Sequence, residues 1–262
     1  MASMRFASLG SGSKGNALLI EAGSTRVLLD CGFGPRNLAE RCQRLGVEAD
    51  TLDAIIVTHE HSDHVGGAFP CAKRYASALY MTQGTYAEAL RDKPARTAVE
   101  VELCLMDSHS EFAIGDLLMQ PFPVPHDARE PVQFVFSDGV HRLGVLTDLG
   151  HVTPHVVECL QGCDALVLEC NHDADMLARG PYPPTLKQRV GGRFGHLAND
   201  AAAALLLRLE HSRLQHVLAA HISEHNNTPA LAQQALATVM GCSSDWIGVA
   251  DQELGFDWRG LS

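Results

Sequence analysis

Short apolar segments alternate with tight turns over the first third of the chain, a pattern typical of β-strands. The clearest apolar runs cover residues 4–9, 17–21 and 25–30, and a glycine- and serine-rich stretch separates the first run from the second. The small residues at 22–24 predict a hairpin turn between the second and third runs. Apolar, β-branched residues at 54–58 predict a further buried strand. This region is therefore predicted to be mostly sheet.

Helical spacing becomes more frequent further along the chain. The first helix is expected over 35–45, with a proline at its start and a glycine just after its end. Further helices are expected from His64 to about residue 75 and at 85–91, 154–159, 198–208 and 229–240. Further strands are expected at 79–81, 101–105, 117–122, 131–136, 142–146, 165–169 and 217–220, near Trp246 and at 255–258. A proline-rich bend is expected at 181–184.

This order of elements predicts an α/β (α+β) fold. Strands come first as meanders and later alternate with helices, which favours two sheets packed face to face with helices outside them. No linker, repeat or shift in composition divides the sequence. Residues 1–262 are therefore expected to form a single domain.

The composition is that of a packed globular protein, and it excludes some classes of binding partner. Of 262 residues, 46% are apolar and 19% are charged. Lys and Arg total 20 against 31 Asp and Glu, a formal charge of −11. An evenly basic nucleic-acid-coating protein is excluded, because neutralising phosphates requires cations, whereas a local basic patch is still allowed. The apolar runs are far shorter than the roughly 20 residues that span a bilayer. With no signal segment at the start, we expect a cytoplasmic protein without a membrane partner.

Histidine is over-represented, with 14 copies, and it is the most common metal ligand. The decisive segment is 57–67, Val-Thr-His-Glu-His-Ser-Asp-His-Val-Gly-Gly, which follows an apolar strand. Side chains at i and i+2 of an extended loop point the same way, so His59 and His61 are expected to bind one cation. Asp63 and His64 follow at a helix start and are expected to face a second position. The segment predicts a paired zinc-type site, with a solvated histidine-rich loop as the alternative.

Four residues cannot complete two coordination shells, so more ligands are expected downstream. His126, Asp148 and His221 each follow a strand-like run, where the loops of a sheet converge. Taken singly, each could be a core histidine or a helix-capping aspartate. As a set behind the histidine-rich segment, they are predicted to be ligands.

In this ordered set of residues, the chain resembles the metallo-β-lactamase superfamily over nearly its whole length. The resemblance implies a four-layer αββα sandwich with two divalent metal ions at one edge, zinc foremost, with manganese or iron as alternatives. Seven side chains are implied as ligands: His59, His61 and His126 for the first ion, Asp63, His64 and His221 for the second, and Asp148 between the two. Asp30 is implied as a partner that steadies the ligand loop, with a turn or helix-capping aspartate as the alternative.

Finer features resemble a nuclease branch of that superfamily. The stretches 167–173, 195–200 and 220–229 look like the WalJ/YycJ-type bacterial proteins, which are linked to 5′-to-3′ exonuclease activity on double-stranded DNA. Glu169 and His196 also resemble the glutamate and histidine motifs of tRNA 3′-processing nucleases, where the pair forms a relay to a metal-ligating aspartate. These likenesses favour phosphodiester hydrolysis.

The expected mechanism is an attack on phosphorus by a hydroxide that bridges the two ions. Its catalytic residues are Asp63, His196 and Glu169. His196, oriented by Glu169, is expected to give a proton to the leaving alkoxide or, alternatively, only to support Asp63. Eight side chains are candidate substrate contacts: Ser11, Ser13 and Asn16 in the glycine-rich loop, Lys187, Arg189 and Arg193 before His196, and Asn226 and Asn227 after His221. Hydroxyl and amide groups could bind a phosphate, and a cation cluster could guide one. Plain turns and a solvated helix face are the alternatives.

The sequence is therefore interpreted as a dinuclear metal-dependent phosphodiesterase, in particular a DNA exonuclease. The first alternative is a small-molecule hydrolase on the same fold, either a cyclic phosphodiesterase or a glyoxalase-II-like thioesterase. Acidic net charge favours a small substrate, whereas the Glu169 and His196 segments disfavour a thioesterase. A third alternative is a metal-bound binding module without turnover, which the complete ligand set disfavours. The pattern does not indicate the oligomeric state.

Overall fold

The computed structural model describes residues 3–91 and 101–262. Their strands, numbered in chain order, form two seven-stranded sheets. In spatial order, the first sheet contains β14 (Phe256–Gly260), β1 (Arg5–Gly10), β2 (Ala17–Ala22), β3 (Thr25–Leu29), β4 (Ala54–Ile56), β5 (Ala78–Thr82) and β6 (Leu103–Met106). The second contains β13 (Gly248–Val249), β12 (His216–Ala220), β11 (Ala165–Glu169), β10 (Arg142–Leu146), β9 (Val132–Ser137), β8 (Leu117–Pro123) and β7 (Phe112–Ile114).

Each sheet is antiparallel on one side and parallel on the other. In the first sheet β14, β1, β2 and β3 pair antiparallel, and β3 to β6 pair parallel. In the second sheet β7 to β10 pair antiparallel, and β10 to β13 pair parallel. Parallel neighbours need long crossover connections, which helices usually supply.

Helices cover the outer faces of both sheets. In the described residues they are α1 (Pro35–Arg44), α2 (Ser62–Val65), α3 (Ala68–Tyr75), α4 (Gln83–Ala89), α5 (Pro154–Leu160), α6 (Ala174–Arg179), α7 (Pro184–Val190), α8 (Asn199–Leu207) and α9 (Pro229–Met240). α5 and α9 both begin with Thr-Pro, where the threonine hydroxyl accepts a hydrogen bond from a backbone N–H of the first turn. Proline fits the first helical position because its missing N–H is not needed there. None of these helices is both long and apolar enough to cross a bilayer.

The interior between the sheets explains why the strands read as nearly continuous apolar runs. Along β9, Val132, Phe134 and Phe136 face the first sheet, where they pack with Phe6 and other residues. Val135 points the other way, into the layer between the second sheet and its helices. Because both faces of the strand are covered, apolar side chains occur on both, and the buried Gln133 on the side of Val135 has its amide hydrogen-bonded to the Thr147 backbone.

The outer faces of the two sheets form two further apolar layers. Leu28 and Ile55 of the first sheet pack with residues of α1 and α3, and Leu166 and Leu168 of the second pack with residues of α5, α8 and α9. The order of layers is therefore helix, sheet, sheet, helix. The predicted arrangement of two facing sheets with helices outside is confirmed.

Several predicted boundaries differ from the structure for local reasons. The helix expected from His64 to residue 75 is interrupted at Gly66 and Gly67 and forms α2 and α3. The strand expected at 101–105 lies at Leu103–Met106. β7, α6 and α7 were not predicted, and each is only three to seven residues long. Segments of that length carry too little periodicity to be recognised.

Candidate metal centre

The seven candidate ligands and Asp30 follow strands of both sheets. Asp30 comes directly after β3, the histidine-rich loop follows β4, and the others come after β8, β10 and β12. β3 and β4 run parallel, as do β10, β11 and β12. In open α/β sheets, ligands bind beyond the carboxyl ends of such strands. The topology therefore gathers loops from distant parts of the sequence at one edge of the sandwich.

At that edge the predicted ligands form two triads. Possible ligand atoms of His59, His61 and His126 lie within 4.8 Å of one another. Those of Asp63, His64 and His221 meet the same condition. These are the two sets that the sequence resemblance implied.

Asp148 lies between the triads. Its Oδ2 atom is 3.1 Å from Nε2 of His64, and its Oδ1 atom is 3.5 Å from Nε2 of His221. Oδ1 is also 3.8 Å from Nε2 of His126, a member of the other triad. One carboxylate thus reaches both groups, as a bridging ligand must.

Asp30 holds the ligand loop from beneath. Its Oδ2 atom accepts a hydrogen bond from Nδ1 of His64 at 2.8 Å, and its Oδ1 atom accepts one from the backbone N–H of Thr58 at 2.8 Å. The Thr58 hydroxyl lies 3.0 Å from Asp30 Oδ1 and 2.9 Å from Nδ1 of His59. Partners of this kind fix the orientation of the imidazoles and leave their Nε2 atoms toward the cluster.

Two further partners hold histidines from the second sheet. Nδ1 of His126 donates to the carbonyl of Gly195 at 2.9 Å. The Asn171 side-chain amide lies 3.2 Å from Nδ1 of His221 and donates to the His221 carbonyl at 3.0 Å. Sequence reasoning did not select Thr58 or Asn171 as site residues. Both lie within segments that it did single out, so position next to a predicted ligand was the available signal.

The backbone is strained at three of the site residues. Asp30, Asp148 and His221 have φ angles of 60°, 87° and 52°, and among the described non-glycine residues only Ala76 shares this left-handed conformation. Such conformations cost free energy and tend to occur at functional sites. The loop after Asp30 also packs tightly, because a Cβ at Gly32 would lie 2.1 Å from the Asp63 carbonyl oxygen.

Two buried ligand atoms in this cluster lack hydrogen-bond partners among the described residues, as expected for atoms that bind a metal ion. His59 is completely buried, yet its Nε2 atom has no hydrogen-bond partner in the described chain. Oδ2 of Asp148 also lacks a partner in good hydrogen-bond geometry, although His64 is close. A buried polar group without a partner costs about 1–3 kcal/mol. A cation bound here would remove that cost for both residues.

Charge at the site favours a cation as well. Burial acts to raise the pKa of Asp63, but His64 and His221 hold this pKa well below its ordinary value. Burial likewise opposes ionisation of Asp148, and His221 and His64 nevertheless lower its pKa strongly. Both carboxyl groups are therefore ionised at neutral pH.

The histidines divide into two classes. Burial lowers the pKa of His59 and of His126, so both stay neutral, as a metal ligand must be. Burial also acts to lower the pKa of His64 and His221, but Asp148 and other carboxylates outweigh it, raising the pKa of His221 to about 9. The neighbouring carboxylates thus stabilise the protonated form of these two histidines. A metal ion bound here would supply that positive charge and displace the protons.

Glu169 and His196 form a pair beside the triads. Nδ1 of His196 lies 2.7 Å from Oε1 of Glu169 and 3.3 Å from Oδ1 of Asp148. Glu169 is fully buried, and its other oxygen accepts hydrogen bonds from the backbone N–H groups of Leu149 and Leu197. The described contacts thus link His196 to Asp148, whereas none links it to Asp63.

The eight candidate substrate contacts occupy different environments. Ser11 and Asn16 are buried: the Ser11 hydroxyl accepts from the backbone N–H of His221, and the Asn16 amide lies 3.2 Å from Oδ2 of Asp63. Asn226 and Asn227 are also buried. Both polar atoms of the Asn227 side chain are hydrogen-bonded to Cys170, Asn199 and Thr228. These contacts give Ser11, Asn16 and Asn227 a part in positioning loops, and contact of any of the four residues with a substrate stays a prediction.

The other four candidates lie at the surface to different degrees. Ser13, Arg189 and Arg193 are exposed, and Lys187 is half-buried, with its ammonium donating to the Ala178 carbonyl. Of these, the structure brings Arg189 toward the cluster through an ion pair with Asp127.

Asp127 is a residue of the site that sequence reasoning missed. Its Oδ1 atom lies 3.6 Å from Nε2 of His61 and 3.5 Å from Nε2 of His126. Its Oδ2 atom accepts from Nε of Arg189 at 2.6 Å. The signal available in the sequence was its position directly after a predicted ligand. Asp127 thus connects the first triad to a cation at the surface.

Comparison with known proteins decides the family. A family model described as a beta-lactamase superfamily domain matches residues 25–222. The chain belongs to the beta-lactamase superfamily. Exodeoxyribonuclease WalJ of Streptococcus pneumoniae serotype 2 is 28% identical to this superfamily member over 245 residues, 94% of the chain and 91% of WalJ. Exodeoxyribonuclease YycJ of Bacillus anthracis is 29% identical over 237 residues, 90% of the chain and 89% of YycJ.

A solved structure supports the fold of this superfamily member. The metallo-beta-lactamase fold protein YhfI of Bacillus subtilis superposes with a TM-score of 0.73 at 18% identity, covering 98% of the chain and 99% of YhfI. The predicted αββα sandwich of the metallo-β-lactamase type is therefore confirmed. This fold implies divalent metal ions, and the histidine and aspartate groups described above are able to bind them.

Proposed function

We propose that this chain is a dinuclear metal-dependent phosphodiesterase that degrades DNA from an end. The observation that carries the proposal is the pair of ligand triads joined by Asp148. DNA as the substrate is supported by WalJ and YycJ, both named exodeoxyribonucleases, which match about nine-tenths of this chain.

The proposed site binds two metal ions, and zinc is the first candidate for both. His59, His61 and His126 would hold one ion, Asp63, His64 and His221 the other, and Asp148 both. Divalent ions in such a pair lower the pKa of water toward neutrality and withdraw negative charge from phosphate oxygens. A ligand set of imidazoles and carboxylates without thiolate also accepts manganese or iron.

The protein's own groups orient the reaction and handle a proton. Glu169 fixes Nδ1 of His196, so the proton that His196 could give to a leaving alkoxide would come from Nε2. This Nε2 atom makes no hydrogen bond within the described residues, and the side chain is 21% exposed. Asp63 stays ionised between His64 and His221 and serves as an anionic ligand. Arg189, at the surface beside Asp127, would attract a phosphate.

A small phosphodiester is the second candidate substrate. The formal charge of −11 repels polyanions at long range and favours a small substrate over a DNA duplex. A substrate panel separates the two: 5′-phosphorylated duplex DNA labelled at either end, a bis-aryl phosphate, cyclic phosphates and a glutathione thioester.

The panel is run on metal-depleted protein to which zinc or manganese is returned. We expect release of nucleotides from duplex DNA only when metal is present, and the labelled end defines the direction. Asp63→Ala should abolish hydrolysis and lower the metal content measured by elemental analysis. Asp50→Ala removes an exposed carboxylate elsewhere and should change neither. Intact DNA alongside a hydrolysed thioester, or full activity in Asp63→Ala, would overturn the proposal.

A further inference from the structure

An aromatic side chain lies in the solvent next to the candidate metal centre. Phe194 is 59% exposed, although it sits only two residues before His196. It belongs to the loop that links α7 to α8. Exposing a large apolar ring to water forfeits the free energy that burial would contribute. Its position beside the proposed active site suggests that a ligand covers it.

The loop that carries Phe194 is held rigidly. The carbonyl of Arg193 accepts a hydrogen bond from Nδ1 of His151 at 2.8 Å, and the carbonyl of Gly195 accepts from His126, a candidate ligand. The loop also lies directly on Gly150, where a Cβ would come within 2.2 Å of the Arg193 carbonyl oxygen. Phe194 is thus presented at a fixed distance from the cluster.

A cavity of about 310 Å³ lies beside this loop. Its walls include Gly150 and His151 before α5, His196 before α8, Ala201 and Leu205 of α8, and Arg208 just after that helix. The volume is at the lower end of the roughly 300–1,000 Å³ typical of ligand pockets. The cavity is therefore large enough for a ring system.

Polar groups stand among these mostly apolar walls. The His151 ring meets the Phe194 ring edge to face, with centroids 6.4 Å apart and planes at 84°. Arg208 adds a cation. A flat ligand with polar edges would satisfy this set of groups.

We propose that Phe194, which contacts His151 of the cavity wall, stacks with an unpaired nucleobase of the DNA substrate where that base enters the cavity. The proposal rests on the proposed function. His196 both lines the cavity and lies 3.3 Å from Asp148, so a bound base belongs to a nucleotide adjoining the reacting phosphate. Bases stack on aromatic rings regardless of sequence, and their edges can accept hydrogen bonds from Arg208 of the cavity wall. A duplex end therefore frays before it reacts.

The test combines removal of the ring with removal of the base. Binding is measured by fluorescence anisotropy on the metal-loaded protein, using duplexes whose phosphorothioate-linked 5′ overhang resists cleavage. One set carries normal bases, and the other carries abasic residues at the overhang. Phe194→Ala should weaken binding of the normal overhang roughly 5- to 150-fold, the usual range for one base–aromatic stack. It should leave binding of the abasic overhang unchanged.

Two variants control for damage to the fold. Phe194→Trp should keep the preference for bases, because indole also stacks. Val140→Ala removes another exposed apolar side chain, 67% exposed, which precedes the start of β10, whereas Asp148 follows the other end of that strand, and it should have no effect. An equal loss for both overhangs in Phe194→Ala, or no loss, would overturn the proposed subsite.

Failure of the subsite and failure of the proposed function give different results. Coupling here means that Phe194→Ala weakens binding of the normal overhang more than binding of the abasic one. If the protein degrades unmodified DNA but shows no such coupling, the base subsite is wrong and the proposed nuclease activity stands. If coupling is found without hydrolysis, the subsite stands and the nuclease is wrong. If neither is found, both proposals are overturned.

Discussion

Asp30 shows how a single side chain can organise a metal centre without entering it. The carboxylate contacts the backbone and hydroxyl of Thr58 and the imidazole of His64, and through Thr58 it reaches His59. His64 and His59 belong to different triads. Asp30 therefore couples the orientation of one triad to the other, and a left-handed backbone at this position is part of the arrangement.

The substitution Asp30→Asn tests that coupling. Asparagine tolerates the left-handed backbone, but it cannot accept a hydrogen bond from both Thr58 and His64. We expect metal affinity, measured by competition with a chromophoric chelator, to fall roughly 10- to 100-fold, as is usual for partners of metal ligands. Asp50→Asn is the matched control. Unchanged affinity would show that Asp30 only shapes a turn.

Glu169→Gln tests the proton that His196 is proposed to give. Loss of the carboxylate frees the imidazole to rotate and weakens proton donation, which typically contributes 10²- to 10⁴-fold to a rate. We expect kcat on DNA to fall by roughly 10²-fold. Hydrolysis of bis(p-nitrophenyl) phosphate should fall much less, because its leaving group needs no proton. Equal losses on both substrates, or loss of metal, would assign Glu169 a purely structural role.

Local signals made several helices and strands predictable, although α7 was missed in spite of the proline at its start. α1, α5 and α9 begin with proline at the first helical positions, and β9 and β11 are long apolar runs. β7, α6 and α7 are short, and contacts elsewhere in the fold decide their conformation. Prolines in β8 look incompatible with a sheet, yet Pro121 and Pro123 lie beyond the part of β8 that pairs with β7. An edge without a neighbour does not need their missing N–H groups.

Ala76 offers a test of element stability away from the site. It ends α3 in the left-handed conformation with φ of 55°. That conformation costs an L-residue roughly 1–2 kcal/mol, which glycine avoids. Ala76→Gly should therefore raise the free energy of unfolding in urea by up to about 1 kcal/mol after the larger entropy of the unfolded glycine is subtracted. Ala178→Gly, within α6, should lower it by about 1 kcal/mol. A loss of stability in Ala76→Gly would contradict the assigned conformation.

At the scale of the whole molecule, the sequence predicted which residues gather but not how the sheets place them. The histidine-rich segment marked the site because its ligands are close in sequence. His126, Asp148 and His221 could be linked to it by their positions after strand-like runs and by the resemblance, but their actual proximity depends on strand order within the second sheet. Asp127 escaped notice for the same reason: its contacts with His61 and Arg189 exist only in the fold.

Overall charge predicts a weak dependence of DNA binding on salt. Cations total 20 in a chain of net charge −11, and only Lys187, Arg189 and Arg193 were singled out near the site. Contact with about three phosphates gives a slope of log affinity against log salt near −2.7. Arg189→Ala should reduce the magnitude of this slope by about 1. Anisotropy titrations at several salt concentrations measure it, and a slope near −10 would require a large basic surface.

The proposed function depends on a pair of divalent ions bound by the two triads and joined by Asp148. Anomalous diffraction from zinc-loaded crystals locates such ions. We expect two peaks, one bonded to His59, His61 and His126 and the other to Asp63, His64 and His221. Ligand atoms of Asp148, Glu169, His196 and His221 also lie within 4.8 Å of one another. A single peak bonded to that group, or no peak in the cluster, would show that the two triads do not each bind an ion.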